Sequence, residues 1–118
     1  MKLSKFAKRV LEELVEVASN NDLITYKELS ERLGVNGSRC LYRPLGSVSE
    51  YTYNQLGIFI SVLVVDQKDR LPGVGFTNMV KYQMECKTLC DEFSVNHIKC
   101  VHGMRPKELT KLLTVATY

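Results

Sequence analysis

The stretch ITYKELSERLG, residues 24–34, sets the local grammar of the chain. Thr25 and Glu28 form T-x-x-E, the capping-box spacing at which each side chain can reach the other residue's backbone N–H. Leu29 and Leu33 then share one helical side, and Gly34 supplies the left-handed residue that stops the helix. The spacing predicts a short helix that starts at Thr25 and ends at Gly34.

Upstream, Leu3, Phe6, Ala7, Val10, Leu11, Leu14 and Val15 recur at helical spacing, with Lys5, Lys8, Arg9, Glu12, Glu13 and Glu16 on the other face. That pattern predicts an amphipathic helix over Leu3 to Ala18, closed by the turn residues Ser19 to Asp22. Downstream, Val35 to Ser38 reads as a turn, and Ser38 is placed to cap a third helical segment from about Arg39 to Asn54. Pro44 lacks a backbone N–H, so this segment either kinks there or restarts with the proline in its first turn.

Gly57 to Val65 is β-branched and almost wholly apolar, the pattern of a strand covered on both faces. Asp66 to Asp69 reads as a turn. Leu71 to Phe76 is too rich in glycine and proline for a regular strand. Helical spacing returns over Thr77 to Phe93. Val95 to Val101 reads as a short strand, and Arg105 to Val115 as a last helix with Pro106 in its first turn.

The chain has 118 residues, 45% hydrophobic and 25% charged, which suits one folded domain over 1–118 rather than two. Lys5, Lys8 and Arg9 interrupt any signal-peptide core, and the longest apolar stretch, Leu56 to Val65, is too short to span a bilayer. The expectation is a cytoplasmic protein with no membrane partner, its four cysteines reduced thiols.

Net charge is +3, too small to identify a partner, but its distribution is uneven. Between Glu31 and Glu50 there is no acidic residue, while Arg32, Arg39 and Arg43 sit there with Asn36, Ser38, Tyr42 and Ser47. Arginines near a helix start, where backbone N–H groups point outward, favour phosphate oxygens. A capped helix, a turn and a second helix carrying arginine is the outline of a helix-turn-helix; a solvated face of a small bundle reads the same way.

From Ile24 to Phe76 the order of segments resembles the DNA-binding domain of the alkylguanine-DNA alkyltransferases and their alkyltransferase-like relatives. In that family a stretch like ITYGELA-x-x-LG leads to RAVG, a recognition helix, an I-P-C-H-R-V-V strand, a turn and a glycine-rich segment. Here ITYKELSERLG matches the first part, and Arg43-Pro44-Leu45-Gly46 lies where RAVG would lie. Phe59 to Val65 lies where the active-site strand would lie. The resemblance implies an α+β, winged-helix-like core about 24–76, with flanking N- and C-terminal helices. It implies DNA contact through Arg43, with Ser38, Arg39, Tyr42 and Ser47 beside it, and a receiving pocket near Ser61, Pro72, Gly73 and Gly75. The family's alkyl acceptor is a thiolate beside a histidine. The matching position here is Ser61, followed by Val62 and Leu63, so no alkyl transfer is expected.

Cys86, Cys90, Cys100 and His102 form a second cluster, with His97 between the pairs. Four such ligands could close a zinc site, although the spacing is not C-x2-C and small apolar core residues would look alike. The metal reading ranks below the core reading, and His97 alone reads as a partly exposed turn residue. Gly73-Val74-Gly75 lacks the spacing of a nucleotide loop, and no cofactor is expected. Three classes remain: a non-enzymatic DNA-binding protein; a protein-interaction module on the same scaffold, such as an inhibitor or adaptor from a phage or other mobile element; and, last, a small enzyme using Ser61 or the C-terminal cysteines.

Overall fold

A computed structural model describes residues 3–36, 39–68, 70, 72 and 91–115. It is mostly helical, with a two-stranded parallel sheet, an α+β arrangement. Helix α1 spans Lys5–Ser19 and is capped by Ser4, whose side chain accepts the Ala7 N–H at 3.1 Å. Its apolar stripe, including Val10, Leu11 and Leu14, is buried against the rest of the core. The chain leaves α1 through Asn21, whose φ of 54° is a left-handed conformation that asparagine tolerates.

Strand β1, Ile24–Thr25, leads directly into α2, Tyr26–Leu33. The Thr25 hydroxyl accepts the Glu28 N–H and donates to Glu28 Oε1, both at 3.1 Å, so Thr25 caps the helix as its spacing predicts. Gly34 ends it at φ 70°, and the Val35 N–H reaches back to the Ser30 carbonyl at 3.0 Å. This six-to-one bond is the Schellman closure that a glycine permits.

Helix α3 runs from Arg39 to Leu56 without interruption. Pro44 neither ends nor restarts it, although the ring withdraws the N–H that would pair with the Cys40 carbonyl. Packing on α1 and α2 holds the helix together across this defect: Leu41, Leu45, Val48 and Tyr51 are all buried. Gly57, at φ 73°, turns the chain out of α3.

The expected strand over Gly57 to Val65 is a correction. Ile58 and Phe59 are irregular, Ile60–Leu63 is a 3-10 helix, and only Val64–Val65 is strand β2, paired in parallel as Ile24↔Val64 and Thr25↔Val65. Ile58 to Val65 are all buried, as their apolar composition predicts. From Ile58 to Ser61, however, the backbone is bonded to side chains instead of a neighbouring strand. The Phe59 N–H donates to His97 Nε2 at 2.8 Å, the Ile60 N–H to Thr52 Oγ1 at 3.3 Å, and the Ser61 N–H to Ser49 Oγ at 3.1 Å. Thr52 Oγ1 also donates to the Ile58 carbonyl at 2.8 Å. Ser49 and Thr52 sit three apart on α3 and therefore face the same way. With these groups satisfied, Ile58 to Ser61 need no ladder.

Helix α4, Asp91–His102, replaces the strand expected over Val95 to Val101. Phe93, His97 and Val101 recur every four residues, a helical repeat that places Val101 in the core. Helix α5, Pro106–Val115, begins on its proline as expected and buries Leu109 and Leu112. Helix α1 packs against both α3 and α5. The helix expected over Thr77 to Phe93 lies outside the described residues, apart from its last three in α4. No helix among the described residues is long and apolar enough to cross a membrane.

Candidate nucleic-acid interface

The outer face of α3 is set by the same periodicity that buries its inner face. Leu41, Leu45 and Val48 point inward, so Tyr42, Arg43 and Ser47 point to solvent. Tyr42 is 57% exposed, far more than core packing would leave a tyrosine. Its ring meets Tyr26, at the start of α2, edge-on with centroids 6.4 Å apart. That contact joins the first turn of α2 to the exposed face of α3. Glu50 is half-buried one turn beyond Ser47, and marks where the acid-free face ends.

Arg43 is exposed and makes no ion pair among the described residues. Arg32, counted in the same basic window, is used differently: its guanidinium pairs with Glu13 of α1 at 3.4 Å. Arg9 donates to the Leu33 carbonyl at 3.4 Å and helps seat α1 beside the end of α2. Arg39 is the first residue of α3, one helical turn before Arg43. Ser38 lies outside the described residues.

Ser61 lies in the core, 4% exposed, with its hydroxyl bonded to the Ser49 hydroxyl. It lines neither of the two described cavities. Pro72 is half-buried, and Gly73 and Gly75 lie outside the described residues. One opening, about 330 Å³, lies at the start of α2 and is lined by Thr25, Lys27, Glu28, Glu31, Gln67 and Arg70. A smaller one of about 90 Å³ lies between the end of α3 and α5, at Gln55, Leu56, Glu108, Lys111 and Leu112.

The Cys/His cluster is not assembled as a strand would assemble it. Cys100 and His102 are two residues apart on α4, so they project about 200° apart around the helix rather than together. Cys100 is exposed, and His102 Nε2 is 2.9 Å from the Asp22 carbonyl. Cys86 and Cys90 lie outside the described residues. Among the described residues no group of three or more His, Cys, Asp or Glu side chains is placed to hold a metal ion.

His97 departs most from its sequence reading. It is a half-buried helical residue, with Phe93 stacked on one ring (5.4 Å, 12°) and Phe59 tilted against it (5.6 Å, 46°). Burial pushes its pKa below the usual histidine value. A partner 38 residues away has no local signature; Phe93 at i−4 is the one signal that a helical reading would have caught. The chain matches no protein-family model, no curated protein and no solved structure.

Proposed function

We propose that the chain is a non-enzymatic DNA-binding protein on a winged-helix-like scaffold of the alkyltransferase-like kind, using the outer face of α3. The observation that carries this reading is the joint exposure of Tyr42, Arg43 and Ser47 on one helical face, with no ion pair on Arg43 among the described residues. An arginine without a carboxylate partner can give its charge to phosphate oxygens or a base edge. Arg39 and Ser38 precede this face in the chain, and we include them in the proposed contact on their sequence position alone. The absence of alkyl transfer is supported by Ser61, a buried hydroxyl already bonded to Ser49.

The test is fluorescence anisotropy with short duplex and single-stranded DNA across a salt series. Binding should be micromolar or tighter at low salt and weaken linearly on a log–log plot, because neutralised phosphates release counterions. Arg43→Ala should weaken binding and, if the contact is to phosphate, reduce the salt slope by about 1. Unchanged binding in Arg43→Ala would remove α3 from the interface. An exposed tyrosine beside an unpaired arginine is also the composition of a protein-binding hot spot. No binding to either DNA at low salt would therefore move the reading to a protein-interaction module.

A further inference from the structure

We propose that α4 is fastened by a proton-sensitive latch, in which neutral His97 accepts the Phe59 N–H and protonation of that ring frees the middle of the helix. An imidazole nitrogen can accept a hydrogen bond only while it carries no proton. The 2.8 Å bond from the Phe59 N–H to His97 Nε2 therefore requires the neutral ring, with its proton on Nδ1. The imidazolium would turn an N–H toward an N–H and would place a charge between the rings of Phe59 and Phe93.

Among the described residues, the groups that pack around the ring offer that charge no compensation. The 3-10 helix Ile60–Leu63 carries no titratable side chain. Tyr53 of α3 stacks on Phe59, at 4.5 Å and 7°. On α1, Lys5, Glu12 and Glu16 are exposed, Lys8 is half-buried, and Arg9 and Glu13 are engaged with α2. On α4 itself, Lys99, Cys100 and His102 follow the ring, and Asp91 and Glu92 precede it by more than a turn. Desolvation by burial is the cause of the lowered pKa.

His102 makes the device directional. The Asp22 carbonyl can only accept, so His102 Nε2 is a donor, and protonation leaves that bond intact. Acid would thus detach α4 at its middle and leave its C-terminal end tied to the loop after α1. Release would uncover the apolar surface shared by Phe59, Phe93 and Ile98.

The folded pKa is depressed, so the latch is complete above the unfolded value of about 6.5 and is lost as pH falls through the folded value. Within that window the opening constant of α4 should rise by up to about tenfold per pH unit.

Hydrogen exchange read as protection factors tests this, with His97 ring nitrogens followed by NMR in the same samples. The expected result is loss of protection at Phe59 and across α4 between pH 7.5 and 5, in step with protonation of a ring that begins as the Nδ1–H tautomer. His97→Gln keeps an acceptor that does not titrate and should flatten the response, while His102→Gln should retain it. Constant protection at Phe59 in the parent, an Nε2–H tautomer at pH 7.5, or the same acid response in His97→Gln would each overturn the latch. If His97→Gln does not fold, the parent's ring titration against Phe59 protection decides alone.

Discussion

Thr52→Val is the most informative single change in the interior. Valine keeps the shape and apolar contact of threonine at a fully buried position, so the variant removes a hydroxyl and little else. That hydroxyl accepts the Ile60 N–H and donates to the Ile58 carbonyl, two backbone groups with no strand beside them. A buried backbone group left without a partner costs about 1–3 kcal/mol. Two such groups, eased by local adjustment, give an expected loss of about 2–4 kcal/mol. With an unfolding entropy near 2.1 cal/mol/K per residue, that is a fall in Tm of roughly 8–16 °C for a chain of this length. Urea unfolding should show a lower midpoint at unchanged m, since the surface buried by the fold is the same. Thr52→Ser keeps the hydroxyl and should cost about 1 kcal/mol for the missing methyl. A loss below about 1 kcal/mol in Thr52→Val, or a larger loss in Thr52→Ser, would refute side-chain pinning of the Ile58–Ser61 backbone.

Two further changes test the helix ends by the same unfolding measurement. Gly34→Ala finds open space for its Cβ but must hold φ near 70°, so it should cost about 1 kcal/mol from backbone strain alone; an increase in stability would show that the chain leaves α2 another way. Tyr51→Phe should cost about 1–2 kcal/mol, because the buried phenol donates at 2.8 Å to the Leu112 carbonyl and ties α3 to the last turn of α5. Burial raises the Tyr51 pKa, so its share of stability is complete below the unfolded value near 10 and is lost as pH rises through the folded value. The phenylalanine variant should lack that part of the alkaline loss; an identical alkaline profile would place the titration elsewhere.

The parts of the fold that were legible are those whose partners are close in sequence. Thr25 with Glu28, and Ser30 with Gly34 and Val35, are each settled within five residues, and the start and end of α2 follow directly, whereas the apolar repeat places the start of α1 at Leu3, two residues before the helix that Ser4 caps. Composition also carried the burial of Ile58 to Val65. It did not carry the backbone conformation, because an apolar run states what covers a segment and not what bonds it. The partners here are Ser49, Thr52 and His97, at separations of 12, 8 and 38 residues. Val95 to Val101 failed differently: Val95, Ile98 and Val101 are three apart, a helical repeat that a short apolar run conceals. Pro44 carries a local cost that its sequence position makes plain, and the packing of Leu41, Leu45 and Val48 outweighs that cost.

Helix α3 carries both halves of the molecule's logic, and its length keeps them apart. Its outer face near Pro44 presents Tyr42, Arg43 and Ser47, while its inner face one to two turns later supplies Ser49, Tyr51 and Thr52 to the core. Arg43 and Thr52 are nine residues apart, about 13 Å along the axis, beyond the range at which substitutions usually couple. Surface chemistry can therefore change at Arg43 without disturbing the hydroxyls that hold the 3-10 segment. The hydroxyls and His97 fix Phe59, Phe59 stacks on Tyr53, and Tyr53 lies on α3 itself, so loosening the segment reaches the helix from its C-terminal end. Ser49 and Thr52 from α3 and His97 from α4 thus do for Ile58 to Ser61 what a neighbouring strand would do in an ordinary sheet.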